Sequence, residues 1–536
     1  MAPPAAIAEP TEAGGLNPPA HPATAQPATL ILLIVLSVFG AIIGTQLILQ
    51  LGVTPNTSII GALVAMLLAR VPLAFFNRYR SIHVQNLAQS AISAATFGAA
   101  NSLLLPIGVP FLLGRPDLIM PMLIGAALSM LLDGYMLYRM FDTRVFPATG
   151  SWPPGIAAAE AIRAGDAGGK RGLLLVAGLL VGIAGSWMKV PMSAFGVAFI
   201  GNVWALTMFG IGLLIRGYAM PVAGIDVAKL YVPHGMMVGA GLVALVQVAL
   251  LIARRGEPEA GGASDATLRR ALGLGGAGYI AIAIVIAILG GMVGELSTGM
   301  LVAFVIYAAF AAFVHELIVG ISAMHAGWFP AFAVALITLI VGILLGFPPV
   351  ALGLLVGFAA STGPAFADMG YDLRAGFLLR GQGINPAFEM AGRKQQLYAA
   401  MLAFLIAIPT VYFAHPGYFA QNLVPPVDKV FVATIQAGAT AEVAKAMLIW
   451  ALPGALIQLL GGPSRQLGIL LATGLLIPNP MAGWAVLAGI VIRVVVLKLK
   501  GDSASGNMEV LAAGFIGGDA LYGFGDSMSR AMPKGK

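Results

Sequence analysis

The side chains best placed to do chemistry are His315 and Glu316, a base beside an acid inside the apolar stretch 297–324, with Glu295 near its start and His325 just past its end. Ionisable groups are costly in a membrane helix and mark proton or substrate paths. Histidine titrates near neutral pH, and burial can bring a glutamate into the same range. Glu316 with His315 is the expected carrier of a coupling proton; the plainer alternative is a polar pair reaching toward the inner membrane surface. The same two residues open a zinc-protease signature, which needs a second histidine four positions on, to bring two ligands onto one helix face. Position 319 is Val319, so no metal site follows. AGDAGGKRG superficially resembles a phosphate loop, but Arg171 stands where Ser or Thr would hold magnesium. No catalytic set, cofactor or metal is expected. With no soluble domain long enough to hydrolyse a nucleotide, any transport must run on a gradient.

The elements that must position this pair are membrane helices. The 536 residues are 59% hydrophobic and only 10% charged, against roughly 25% charged in soluble domains. Repeated apolar runs of about twenty residues can each cross ~30 Å of hydrocarbon as helix. The expected fold class is an all-α polytopic membrane protein. The net charge of +7 is spread over loops, which suits inward loops on anionic lipid and not nucleic-acid binding. With no cysteine, disulfides, thiolate zinc sites and iron–sulfur clusters are excluded. Residues 1–27 are rich in Ala and Pro without Lys or Arg; they read as a disordered cytoplasmic tail, not a signal peptide.

Spans are expected at 28–51, 56–76, 84–113, 118–137, 172–190, 231–253, 272–292, 297–324, 329–347, 349–367, 397–414, 444–460, 467–477, 482–497 and, weakly, 510–524. Between them, 193–230 reads as a hairpin of shortened or broken helices. The span at 84–113 begins polar, with His83, Gln85, Asn86, Gln89, Ser90 and Ser93, so one face should look toward other helices or a cavity. Asp133 is buried near the end of the next span. The run 368–396 carries Asp368, Asp372, Arg374, Arg380, Glu389, Arg393 and Lys394. It reads as a water-exposed basic loop and so fixes the cytoplasmic side. A second basic loop, 139–171, contains SWPPGIAAAEAIRAG, in which Pro153-Pro154-Gly155 breaks the chain before a helix restarts.

The basic stretch 254–271 divides a first transmembrane half, 28–253, from a second, 272–527, with a tail at 528–536. GLLIRGYAMPVAG (212–224) and GLLIPNPMAG (474–483) share GLLI, a Pro/Gly break and an AG step; AEAIRAG precedes GGKRG as YDLRAG precedes AGRKQQ. These point to a parallel duplication with about eight helical segments per half, about sixteen in all. Pro/Gly-interrupted segments in matching places are the best pointer to a solute path, because unwound backbone at membrane depth must line protein or a water-filled cavity. Gly210, Gly212, Gly474 and Asn479 are the candidates, with close helix packing the bland alternative for the glycines. At Pro478-Asn479-Pro480 a break is nearly unavoidable.

The run DLRAGFLLRG followed by GRKQQL resembles the signature of the oligopeptide transporter family, where Asp-Leu-Lys-Thr-Gly precedes Pro-Arg-Lys-Gln-Gln. WPPGIAAAEAIRAG is similar to that family's Phe-Pro-Ser-Gly-Thr-Ala-Thr-Ala-Glu segment, and YVPHGMMVGAGLV to its Gly-Met-Met-Ile-Gly-Ala-Gly run. LATGLLIPNPMAGWAVLAGIVIR resembles its Gly-Leu-Tyr-Leu-Pro … Gly-Gly-Leu-Ile-Arg span, and AAGFIGGDALYGF its closing element. The matches follow the family's order from 151 to 525. The resemblance implies about sixteen helical segments from a duplicated half, and secondary, proton-coupled uptake of oligopeptides or metal chelates. It points to Pro154, Gly155 and Glu160, to Gly235 and Gly239, to Asp372, Gly376, Arg393, Lys394 and Gln395, and to Arg493. Departures are clear: IVGISAMHAGWFPAF (318–332) replaces the Asn-Pro-(Val/Ile)-Ser-Gly-Met-Thr element common in bacterial members, and GQGINPAFEM is inserted before Arg393. Substrate identity therefore does not carry over.

The expectation is a multi-pass symporter of a cytoplasmic (inner) membrane that moves a small peptide or peptide-like solute with protons. Its cavity would be built from 210–224, 474–483 and the polar face of the third span, with Pro154, Gly155, Glu160 and His234 on the path and Asp372, Arg393 and Lys394 gating from the cytoplasmic loop. A membrane-embedded enzyme and a channel are the alternatives. The first would turn over lipid or peptide without vectorial movement; the second would show single-channel conductance.

Overall fold

In a computed structural model, residues 20–51, 58–69, 74–253, 265–438 and 440–531 are described. Most of the expected N-terminal tail (1–19), most of the linker (254–264) and the end of the C-terminal tail (532–536) lie outside the described residues. The chain runs as α1 (Pro27–Leu51), α2 (Ser58–Ala69), α3 (Ile82–Phe97), α4 (Leu105–Leu112), α5 (Ile119–Met140), α6 (Pro153–Ala167), α7 (Gly169–Trp187), α8 (Met192–Ile200), α9 (Val203–Ala223) and α10 (Val232–Ala253). The second part continues as α11 (Asp265–Leu289), α12 (Met292–Glu295), α13 (Thr298–Ala326), α14 (Ala331–Leu344), α15 (Pro349–Ser361), α16 (Pro364–Leu379), α17 (Pro386–Phe419), α18 (Pro426–Ala437), α19 (Ala441–Arg465), α20 (Leu467–Leu476), α21 (Pro480–Lys500) and α22 (Ser505–Ala531). A π-helical stretch, Gly98–Leu104, joins α3 to α4. Among the described residues eleven helical segments are long and apolar enough to cross a membrane, and four shorter apolar helices accompany them. The fold is all-helical and the protein is a multi-pass membrane protein.

Starts and stops follow local chemistry. Asn202, Ser297, Asn385 and Asn479 accept backbone N–H bonds at the starts of α9, α13, α17 and α21, and proline opens α15, α16, α17, α18 and α21, where its missing N–H costs nothing. Long seams are lined by glycine. A side chain on Gly178 would press on Gly514, and one on Gly239 would collide with the backbone at Ala451. Small residues let helix backbones approach where lipid supplies no hydrophobic drive for association.

Three expectations are corrected. First, 193–230 is a hairpin with a short first arm, α8, turning at Gly201-Asn202, and its second arm, α9, ends at Gly224 in the left-handed conformation, but α9 is one continuous helix through Gly210, Gly212 and Gly217. The second copy does break, at 477–479 between α20 and α21. Second, 368–396 is not a wet loop. Asp368 and Asp372 belong to α16, every residue from Pro364 to Leu373 is buried, and a turn at 380–385 is all that separates α16 from α17. Asp368, Asp372 and Gln396 are met by the polar face of α3, while Arg374, Arg380, Glu389 and Arg393 find partners elsewhere in the protein and Lys394 stays exposed. Third, the described part of the expected loose tail is docked. Thr24 donates its N–H to Gln395 Oε1 at 2.7 Å and its hydroxyl to the Gln395 carbonyl at 2.9 Å, while the His21 ring packs between His83 and Phe388.

Candidate functional site

The break between α15 and α16 lies against His315 and Glu316 of α13. Gly363 adopts φ +93, and a side chain there would crowd Val319, so only glycine turns the chain at this point. The Gly363 N–H donates to Asp133 Oδ2 of α5 at 2.6 Å, and the Tyr279 hydroxyl of α11 donates to Asp133 Oδ1 at 2.6 Å. Tyr279 also neighbours Glu316. Glu316 is fully buried, and neither of its carboxyl oxygens makes a hydrogen bond of good geometry. Three helices, α5, α11 and α13, thus bring two carboxyls and a phenol to one unwound turn between α15 and α16.

His315 bridges the start of α14 and the end of α15. Its Nε2 lies 2.7 Å from the carbonyl of Ala331, the first residue of α14, and its Nδ1 lies 2.8 Å from Thr362 Oγ1. A carbonyl only accepts, so Nε2 carries the proton; Nδ1 of the neutral ring then accepts from the Thr362 hydroxyl. That hydroxyl has a second acceptor within reach, the Ala359 carbonyl at 2.8 Å. A proton added at Nδ1 can therefore be accommodated by rotating one hydroxyl, with no hydrogen bond lost.

A second gathering of chain breaks lies nearer the basic face. The Trp152 N–H, at the start of α6, bonds the Met324 carbonyl at 2.8 Å, and the Asn202 N–H, between α8 and α9, bonds the His325 carbonyl at 3.0 Å. The Asn202 amide reaches the Ser464 carbonyl at 2.9 Å and lies 3.3 Å from His325 Nδ1. Pro154 packs on Gly327. Non-helical backbone at Gly462 kinks α19 beside this point. Four ends, from α6, α8–α9, α13 and α19, meet here.

On the basic face, Glu389 accepts from Arg380 Nε and Nη2 at 2.8 and 2.9 Å and from Arg393 Nε at 2.7 Å. Arg393 also pairs with Asp142 at the end of α5, at 2.9 Å. Arg380 Nη1 donates to Gln396 Oε1 at 2.7 Å, and Gln396 Nε2 donates to the Asp372 carbonyl at 2.6 Å and to Ser90 at 3.2 Å. Bidentate arginine–carboxylate pairing of this kind fixes geometry as well as charge.

The remaining sequence candidates scatter. Glu160 accepts from Arg163 at 2.8 Å and Arg171 at 2.7 Å, and Gly155 packs on the Tyr371 carbonyl. Gly210 lies beside Gly483 and Leu487, while Gly212 and Gly474 meet in a closed seam. The hollow expected between 210–224 and 474–483 is therefore filled by backbone contact. His234 sits 5.5 Å from the Tyr231 ring with Nδ1 unbonded. Asn479 caps α21 through Ala482 at 3.1 Å. Lys394 stands over the Tyr398 ring at 5.7 Å. A recess of about 170 Å³ opens instead between α10, α13 and α14, lined mostly by apolar side chains such as Met237, Phe310 and Ile337. Among the described residues no group of three His, Cys, Asp or Glu could hold a metal ion.

Tyr279, Thr362, Gly363 and Asn202 were not singled out from the sequence. Ser361-Thr362-Gly363-Pro364 is a breaker by composition, which an apolar run on either side disguises as one uninterrupted span.

Set against known proteins, the chain finds no match among curated ones. The profile described as OPT oligopeptide transporter protein matches residues 27–254 and 271–529, leaving out the basic stretch between the halves. That match covers nearly the whole chain, in the order set out by the helices above, and the chain belongs to the oligopeptide transporter family of membrane transporters.

Proposed function

We propose that this transporter is a secondary symporter that takes up small peptides or peptide-like solutes, metal chelates included, with protons, across a cytoplasmic membrane whose inner side is the basic face carrying Arg380, Arg393 and Lys394. The carrying observation is the His315 arrangement beside Glu316: the ring can gain a proton while every hydrogen bond is kept, at a helix break held by a second carboxyl, Asp133. A proton taken there changes the charge of the turn that joins α15 to α16 and the start of α14. Bistable packing at such a turn converts a local charge change into movement of whole helices. The solute path is assigned to the junction of α6, α8–α9, α13 and α19, which includes Pro154. There half-helix ends present backbone groups of both signs to a zwitterion.

The test is uptake by proteoliposomes across a panel of di- to tetrapeptides and metal chelates, with and without an imposed pH gradient. Uptake that follows the gradient in the wild type and ignores it in Glu316→Gln is expected. Gradient-driven uptake unchanged in Glu316→Gln would retire the assignment.

A further inference from the structure

Below the Asp133–Glu316 break, α16 carries a second pair of acids that the mechanism above does not use. Asp368 and Asp372 are four residues apart, which places them on one face with Cβ atoms about 5–6 Å apart. That face looks at α3. Ser93 donates to Asp368 Oδ1, and Gln89 donates to Asp372 Oδ1. Both donors are neutral. The other oxygen of each carboxyl, Oδ2, is buried without a hydrogen bond of good geometry, although the Ser90 hydroxyl lies beside the Asp372 carboxyl, and the buried Tyr371 hydroxyl beside Asp368 also makes none.

Among the described residues, the elements packed on this face supply no compensating cation. From α3 come Gln89, Ser90 and Ser93, all uncharged. From α17 comes Gln396, whose carbonyl oxygen is occupied by Arg380, a guanidinium itself committed to Glu389. Arg163 of α6 is directed to the Leu378 carbonyl and Glu160, and Arg374 to the Ala148 carbonyl. The nearest charged groups toward the break are Asp133 of α5 and Glu316 of α13; Gly363, which Asp133 holds, precedes Asp368 by about 7 Å of helix rise. Two like charges this close, taken out of water and left without a counter-ion, cannot both persist. The face therefore has carboxyl oxygens that a bound proton would satisfy and a phenol hydroxyl free to donate to them, with no cation among the described residues to neutralise the acids.

We propose that Asp368 and Asp372 form a second proton-binding site, which shares a proton between the two carboxyls and stands between the Asp133–Glu316 break and the basic face. The step is a simple transfer: the O–H bond of one carboxyl breaks as that of its neighbour forms, and the charge of the pair is conserved until the proton leaves toward the basic face. The site deepens the reading of the protein as proton-coupled. It gives the proton a second stop along α16 and leaves the solute at the separate α6–α9–α13–α19 junction.

The test is pH-difference infrared spectroscopy of the full chain in phosphatidylcholine liposomes, with no solute present. The wild type is expected to show a protonated-carboxyl band that splits or shifts in Asp368→Asn and loses intensity in Asp372→Asn, because each substitution removes one partner of a shared proton. Ser93→Ala keeps both carboxyls and removes the donor to Asp368, so it should shift the band without deleting it; this variant decides the matter if the Asn variants do not fold. A carboxyl band identical in all three variants, or absent from the wild type, overturns the site. Gradient-independent uptake by the wild type would sink the coupling reading by itself, whereas the infrared bands report on the acid pair without any transport.

Discussion

Gly212 and Gly474, the first letters of the two GLLI copies, meet each other backbone to backbone where α9 crosses α20. A side chain on Gly212 would collide with the Leu471 carbonyl, and one on Gly474 with the Phe209 carbonyl. The two copies form a seam. Gly212→Ala or Gly474→Ala is expected to lower thermal stability by about 1–3 kcal/mol through overpacking, read as the midpoint of loss of the monodisperse peak in detergent. Gly276→Ala, which meets open space on α11, should leave that midpoint unchanged or slightly raised.

The buried Arg380–Glu389–Arg393 network predicts a large effect from one substitution. Glu389→Ala leaves two guanidiniums without their shared carboxylate, and Arg380 is buried. Breaking a buried pair from one side costs about 3–5 kcal/mol. Arg115→Ala removes an exposed pair with Asp117 and should produce no measurable change. Equal effects from the two variants would contradict the assignment.

The break at Gly363 should be sensitive to its supports. Tyr279→Phe deletes the donor to Asp133 Oδ1 and should cost about 1–3 kcal/mol for the acceptor left unpaired. Gly363→Ala should cost at least as much, since its positive φ and the Val319 contact both oppose a side chain. Thermal midpoints of both variants, in the same detergent as the wild type, check this.

Residues 20–26 should loosen in acid. Burial pushes the docked His21 imidazole down to about 4 from 6.5, with the Arg380 charge adding to the effect and Glu389 opposing it; His83 and Phe388 complete its surroundings. The undocked ring takes a proton more readily than the docked one. Docking is therefore at full strength above pH 6.5, weakens as pH falls toward about 4, and levels off below that. The chain has no cysteine, so a spin label at Ala23→Cys is unique. Its mobile fraction should rise across this window, and less steeply in His21→Phe. A flat profile would refute the docking account.

Asp428 of α18 makes the opposite prediction. Its carboxyl is buried with neither oxygen bonded, against Gly108 of α4, and burial pushes it well above the usual carboxylate range. The folded protein keeps a proton that the unfolded chain loses above about pH 4. Its cost to stability consequently grows as pH rises, by up to about 1.4 kcal/mol per pH unit. Asp428→Asn should gain stability relative to the wild type as pH is raised from about 5 to about 8, and a constant difference in melting midpoint would count against this account.

Much of the architecture was legible in the letters. Long apolar runs dictate membrane helices because nothing else satisfies backbone polar groups in hydrocarbon. Pro478-Asn479-Pro480 announces its own break, and the polar face of α3 announces buried partners. His315 and Glu316 stood out for the simple reason that charge is rare in such a run. What misled was local composition read without neighbours. Gly210 to Gly217 looked like a break and is a packing groove, since glycine serves both purposes. Asp368 and Asp372 looked water-exposed because the sequence does not say which polar residues face each other.

By itself, then, the sequence determined the helices, the membrane, the family and the one acid–base pair in mid-span, all of which depend on properties of contiguous residues. Only the tertiary structure decided that Asp133, Tyr279, Thr362 and Gly363 surround that pair, and that four helix ends meet at Asn202. Those contacts join residues tens to hundreds of positions apart, and their energies depend on burial and on the partner across the interface, neither of which is written in any single stretch of the chain.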